Sequence, residues 1–553
     1  MLSVLLSWIY IILISYIWGT AFLGIIGRES SYFVKSRPAV LLAGLGTLTV
    51  YAQFFSLFYK VSLLANVVML IITLLFAVLF FEKLRREVNR LKEEITLPKA
   101  ILITILIVLF AYGTSKGFMH YDSDLYHAQS IRWIEEFGVV KGLGNLHTRL
   151  AYNSSSFCLS ALFSFSFLKI QSFHTISGLY ALILMLICLK LFTKDNFFKV
   201  SLSNVARIVA LYYLFNIFDE MVAPASDYVT ILMVLSTVIL FLDLWEEGVD
   251  DYYPYALLSL LGVIIFTTKI SGGFIVLIAI YPIIALIKNK DIRSVIRFLL
   301  SGIIAVVPFL IRNYILSGYL IYPVYQIDLF NPEHKIPNGL AWYDATEIEM
   351  YGRGHKDITR DGESLLSWLP DWFRSLDAVN KVSFLLAIAG LLLLVGLIVR
   401  AIIKKESSDF KKYLIIVTVN VCFIGWLLSS PLIRYGCVFL WLSPALCLGD
   451  IYMLFISKHD KTLIYKAFIC LFFVYKAISF SKEFVTEFST EYMLCQQDYG
   501  KFEAIEYTLH DMTFYYPVEG DRLGYDYFPS APIRAEDIFI GNSIKDGFKD
   551  VTH

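Results

Sequence analysis

The segment His120-Tyr-Asp-Ser-Asp-Leu-Tyr-His127 stands shortly after a hydrophobic run at 97–112. It sets two carboxylates, two histidines and two tyrosines where a membrane-spanning helix emerges into water. The chain continues as Ala-Gln-Ser-Ile-Arg132-Trp-Ile-Glu-Glu-Phe-Gly138 and then Lys141-Gly-Leu-Gly-Asn-Leu-His147. So abrupt a change from apolar to polar reads as a transmembrane helix ending at an aqueous face. Acidic groups at that depth are costly unless they are paired or bind something.

The rest of the composition agrees. Of 553 residues, 58% are hydrophobic and only 17% charged, with a mean hydropathy of +0.66. That excludes a soluble globular protein. Lysine plus arginine (47) equals aspartate plus glutamate (47), so net charge gives no footprint for nucleic acid and none is expected as a partner. Six of seven cysteines lie in apolar runs and only Cys495 in a polar one, which is no disulfide framework.

Stretches of about 17–25 apolar residues predict an all-α polytopic membrane protein with about 14 transmembrane helices. The densest basic cluster, Lys83, Arg85, Arg86, Arg90 and Lys92, sets its loop on the cytoplasmic side by the positive-inside rule. Arg28, Lys35 and Arg37, Lys190/Lys194/Lys199, Lys288/Lys290/Arg293, Lys404/Lys405/Lys411/Lys412 and Lys458/Lys461 agree with this sidedness. The stretch 154–168 reads as interfacial or re-entrant, and 205–218 and 254–268 are short for a crossing. Polar regions 114–153, 322–379 and 481–553 then share the extracytoplasmic face. The expected layout is N-terminal helices and a basic cytoplasmic loop (1–96), a core with acidic outer loops (97–330), an outer loop (331–379), C-terminal helices (380–480) and a small polar tail (481–553). The tail carries fourteen carboxylates against six lysines and arginines, and its proline turns suggest an ordered cap.

Residues 125–137 read as an amphipathic helix in the membrane interface. Leu125, Ala128, Ile131, Ile134 and Phe137 recur every third residue, Asp122, Ser123 or Asp124 caps the start, and Gly138 ends it. Asp124 and His127 fall one helical turn apart and are expected to face one point, as a general base or beside a divalent cation. The plainer alternative makes both aspartates helix caps. A second acidic loop, Asp219-Glu220 to Asp227-Tyr228, falls on the same face. Lys269, Arg312 and Arg434 sit at outer span ends, against the positive-inside bias, and together suit a phosphate. For each alone, snorkelling or ion pairing is the simpler account. The expected site is therefore Asp122, Asp124 and His127 as catalytic groups and His120, Arg132, His147, Lys269, Arg312 and Arg434 around substrate. Asp124, Asp219 and Glu220 would hold any metal, Mg2+ or Mn2+. No Walker loop, dinucleotide fingerprint, zinc spacing or nucleophile elbow is present.

This pattern resembles the GT-C superfamily of integral-membrane glycosyltransferases across residues 97–330. Asp122-Ser-Asp124 matches the acidic motif of the first outer loop and Asp219-Glu220 that of the next, with three extra spans preceding them. The block 120–147 is also similar to an uncharacterised bacterial polytopic membrane-protein family. The resemblance implies transfer of a sugar from a polyprenyl-phosphate-linked donor to a glycan, lipid or protein acceptor, on the extracytoplasmic face of a bacterial inner membrane. A polysaccharide polymerase or ligase, or a flippase for lipid-linked oligosaccharide, is the alternative. A flippase would place its charges near mid-membrane.

Overall fold

The structure, a computed structural model of the chain, describes residues 1–27, 34–197, 199–404, 410–455, 462–509, 512–535, 540–541 and 543–549. Of the basic residues used above for sidedness, Arg28, Lys405, Lys458 and Lys461 lie outside them. Among the described residues, 10 helices are long and apolar enough to cross a bilayer, or 11 if the bent pair Leu63–Leu79 and Phe81–Glu94 is one span. The protein is thus a helical membrane protein, with fewer long spans than the sequence suggested. The difference lies in shorter apolar helices, Ser155–Leu168, Ile176–Phe192 and Tyr252–Thr268. Apolar content alone cannot separate a buried short helix from a spanning one, because burial in protein and burial in lipid select the same side chains.

Ser226–Glu246 is the axis of the bundle. Sixteen of its 21 residues are buried, and it touches the helices Ile176–Cys188, Leu202–Asn216, Tyr252–Thr268, Phe410–Ser429 and Ile433–Phe455. A helix apolar all round needs neighbours all round. Ile292–Ser317, Ala378–Ile403 and Thr462–Glu487 instead expose long rows of Leu, Ile and Val, as lipid-facing helices do.

Leu2–Ile26 and Arg37–Ser56 approach backbone to backbone. A Cβ on Gly19 would lie 2.0 Å from the Val40 carbonyl oxygen, and one on Gly44 would lie 1.8 Å from that of Ser15. Small residues permit the contact that drives helix pairing in membranes. The chain then runs down Leu63–Leu79 and bends by 79° into Phe81–Glu94, which buries no residue and carries the basic cluster. That is the form of a helix lying on a membrane surface.

The three polar regions lie together at one end of the bundle. Gln497 N–H donates to the Ser115 carbonyl (2.7 Å) and Leu523 N–H to that of Asp124 (3.1 Å), while Asn145 Nδ2 donates to His334 O (2.9 Å). The tail is ordered there but not all-α: Ala504–Leu509 and Met512–Pro517 form an antiparallel pair. Its Tyr507, Phe514 and Phe548 pack on Trp133, Val140, Leu143 and Leu146. This cover corrects the expectation of an interfacial helix at 125–137. The segment becomes one π-turn, Ser123–His127, and a helix Ala128–Phe137 whose residues 128–131 and 133–135 are all buried. Its polar face meets the tail, not headgroups.

Gly44→Ala should lower the thermal midpoint in detergent, since overpacking of this kind costs about 1–3 kcal/mol. Gly46→Ala on the same helix is the control: its Cβ meets Ile264 at an ordinary 3.6 Å. Equal midpoints for the two variants would disprove the close crossing.

Candidate functional site

Four chain segments deliver charge to one point. The loop after Leu97–Ser115 supplies His120 and Asp122, the start of Ser226–Glu246 supplies Asp227, the end of Tyr252–Thr268 supplies Lys269, and the start of Ile433–Phe455 supplies Arg434. Each is where a helix stops or begins, so the backbone amides and carbonyls left free there are stabilised by a charged neighbour. Asp227 suits the positive end of its helix, whereas Arg434 opposes the dipole of its own and needs carboxylates nearby.

It has two. Arg434 Nη2 donates to Asp122 Oδ2 at 2.7 Å, and its Nε stands 3.1 Å from Asp227 Oδ2. Nη1 is 2.9 Å from His120 Nδ1. Lys269 Nζ bonds to the other oxygen of Asp227 and lies 3.5 Å from the centre of the Tyr435 ring, a cation–π contact. Two carboxylates and two cations thus balance. Asp122 and Arg434 each remain 19% exposed and Lys269 23%, which leaves the cluster open to a solute.

The protonation pattern follows from these contacts. His120 Nδ1 accepts from the Asp122 backbone N–H (3.1 Å) and faces the guanidinium, so its proton belongs on Nε2. Burial and then Arg434 hold its pKa below the usual value. For Asp122, burial alone would raise the pKa, but the positive charge beside it, above all the Arg434 guanidinium that donates to it, outweighs burial and the carboxyl stays below the usual range. It is ionised at rest.

The structure parts Asp124 from His127. In a π-turn the residue three positions on no longer lies over the first, so the α-helical spacing does not apply. Asp124 Oδ1 accepts Gly500 N–H at 2.8 Å, and its carbonyl accepts from Leu523 and Gly524. It holds the tail. Arg132 does the same, donating to Asp526 O at 2.8 Å while stacking on Tyr525 and Phe528. His127 is buried against Ser123 Oγ (3.4 Å) and the Phe157 ring (5.2 Å). The carboxylates that act on it are Asp122 and Asp227, and burial drives its pKa down to about 3. It is a neutral ring behind Asp122.

The other expected residues also disperse. Arg312 is buried elsewhere, donating to Asn153 Oδ1 (3.0 Å) and Ser56 Oγ (2.5 Å). His147 lines a separate cavity of about 220 Å³ with Arg149, Tyr343, Asp344, Glu347 and Asp521. Asp219 receives Phe118 N–H on its carbonyl (2.6 Å), and Glu220 accepts the Tyr228 hydroxyl. Asp124, Asp219 and Glu220 therefore do not converge, and among the described residues no three His, Cys, Asp or Glu side chains are placed to hold a metal ion.

Two groups escaped the sequence reading. Asp227, named above only as the end of the second acidic loop, sits in the first turn of Ser226–Glu246; the signal was that Lys269 and Arg434, both at outer span ends, each lacked an assigned counterion. Asp344 accepts the hydroxyls of Tyr152 (2.8 Å), Tyr322 (2.8 Å) and Thr148 (3.2 Å). Tyr152 in turn packs edge-on against Tyr126 at 5.6 Å, a residue of the Ser123–His127 turn.

Residues 1–441 match the model of a family described as a domain of unknown function, DUF8201. No curated protein matches the chain, and no solved structure does.

Asp124→Ala should speed tryptic cleavage of the tail at Lys501 or Arg522 in folded protein, whereas Asp122→Ala should not. Equal cleavage in the two variants would remove Asp124 from its anchoring role. Because the His127 pKa is lower folded than unfolded, stability is complete above about pH 6.5 and falls as pH drops toward 3. The slope from one such group is ~1.4 kcal/mol per pH unit. His127→Gln should flatten melting curves between pH 6.5 and 4 by that one-proton slope.

Proposed function

We propose that this chain, which belongs to the DUF8201 family, is a GT-C-like glycosyltransferase that moves a sugar from a polyprenyl-phosphate-linked donor to an acceptor hydroxyl. The reaction takes place on the extracytoplasmic face of a bacterial inner membrane, in the making of a cell-surface glycan. The observation that carries this reading is Asp122 bound to Arg434 at an open cluster of helix ends, with Lys269 close by. Ionisable groups at such a place in a membrane protein are functional by default, and these supply both roles that transfer from a phosphate requires.

Asp122 accepts the proton of the acceptor hydroxyl as the oxygen attacks the anomeric carbon. The new glycosidic C–O bond forms as the bond from that carbon to the phosphate oxygen breaks, and the phosphate leaves with the electron pair. Arg434 and Lys269 face the charge that grows on it. At rest Arg434 occupies Asp122 and keeps it a weak base. A donor phosphate competes for the guanidinium, and a carboxylate relieved of its cation becomes more basic. The donor thereby readies the base. Neither the Asp124–His127 pair nor Arg312 takes part in this scheme. The position of the cluster at helix ends disfavours the flippase alternative.

Membranes containing the protein, supplied with radiolabelled polyprenyl-phosphate sugar, provide the assay. Asp122→Asn should cut transfer ~10²–10⁴-fold, the usual loss on removing a general base, and Lys269→Ala should lower it further than Asp124→Asn does. Normal transfer by Asp122→Asn would sink the assignment. Movement of intact donor across vesicles with no sugar transferred would favour a flippase.

A further inference from the structure

The far end of the central helix holds a second site. At a ~1.5 Å rise per residue, Asp243 lies ~24 Å along Ser226–Glu246 from Asp227, and beside it opens a cavity of about 670 Å³. That volume is within the ~300–1,000 Å³ of small-molecule sites. Leu42, Leu186, Leu240, Leu258, Leu261 and Ala305 are among its lining residues. Along Arg37–Ser56 it runs from Ser36 to Val50, ~21 Å, or some two thirds of a ~30 Å hydrocarbon core.

The charged residues of its described lining are Lys35, Lys190, Arg207, Asp243 and Glu247. Lys190 reaches Asp243 Oδ1 (3.1 Å) and Glu247 Oε1 (2.7 Å), and Arg207 pairs with the other Asp243 oxygen. These four neutralise one another. Lys35 is left over, exposed and without an ion pair among the described residues, so the described lining of the mouth carries one positive charge in excess.

Gly46 shows that the space is not an accident of close packing. Gly44, two residues away, has no room for a Cβ, whereas a Cβ on Gly46 would meet only Ile264 at 3.6 Å. Glycine inside a helix costs about 1 kcal/mol against alanine, and helix contact does not require it here. What it leaves open is the cavity wall.

We propose that this cavity holds one hydrocarbon chain of an anionic membrane phospholipid, with the headgroup phosphate beside Lys35. The chain fills a slot whose length and apolar lining suit it, and Lys35, uncommitted among the described residues, selects charge at the headgroup. This inference is independent of the glycosyltransferase reading, since none of these residues touches the Asp122 cluster.

The test uses full-length protein in vesicles of equal phosphatidylglycerol and phosphatidylcholine with a trace of polyprenyl phosphate. The protein is extracted into detergent, and the lipid retained per chain is measured by mass spectrometry. Wild type should keep about one phosphatidylglycerol per chain. Gly46→Phe, which fills the slot, should lower this at least ~10-fold, equivalent to ~1.4 kcal/mol. Lys35→Ala should abolish the preference for phosphatidylglycerol over phosphatidylcholine. Undiminished retention by Gly46→Phe overturns the proposal, as does an unchanged preference in Lys35→Ala, or recovery of polyprenyl phosphate in place of phospholipid. Lys35 is exposed, so its variant decides the matter even where Gly46→Phe fails to fold.

Discussion

The guanidinium of Arg434 is the tie on which the polar end of the molecule depends. It joins Asp122, His120 and Asp227, and so fastens a loop to the first turns of two helices. Four-fifths of the Arg434 side chain is out of contact with solvent, and a charge so far desolvated is costly without a partner. The loop therefore cannot leave Arg434 unless another anion takes its position. Arginine suits the task better than lysine, because its fixed fork serves several acceptors at once and keeps its charge when half buried. Lys269, a point charge, completes the neutrality on Asp227 and rests on Tyr435.

Around that tie the fold is economical in polar contacts. The central helix is packed on all sides, and its two ends carry different ionic clusters: Asp227 with two cations at one, Asp243 with two at the other. Between them lies an almost wholly apolar column. Two polar systems so separated can be occupied by different molecules without direct electrostatic interference, because the distance exceeds the ~8 Å screening length on the solvent side.

Much of this was legible in the sequence, and the rest was hidden for identifiable reasons. The membrane class and the importance of 120–127, Lys269 and Arg434 came from where charge stood relative to apolar runs, a signal that survives folding. Asp122 and Asp124, grouped together in the sequence, part in the structure: one pairs with Arg434 and the other holds the tail. Their difference depends on a π-turn, and nothing in Ser-Asp-Leu-Tyr-His marks one. Arg132 was expected around substrate, yet it donates to the tail carbonyl of Asp526, and Glu135 on the same helix accepts the Tyr525 hydroxyl. Partners hundreds of residues away leave no trace in local periodicity. The span count is blurred for a similar reason, since a short helix such as Ile176–Cys188, buried along most of its length, is as apolar as one that faces lipid.

The bond from Gly500 to Asp124 joins residues 376 positions apart. Chains are synthesised at ~5–20 residues per second, so the Asp124 loop waits roughly 20–75 s before the segment that covers it exists. During that time the helices from Ser226–Glu246 to Thr462–Glu487 are all made, with the loop uncovered. The last helix must insert, and the polar tail must reach the same side, before the loop is closed over. Closure of the polar end thus requires the tail and the Asp124 loop to emerge on the same side.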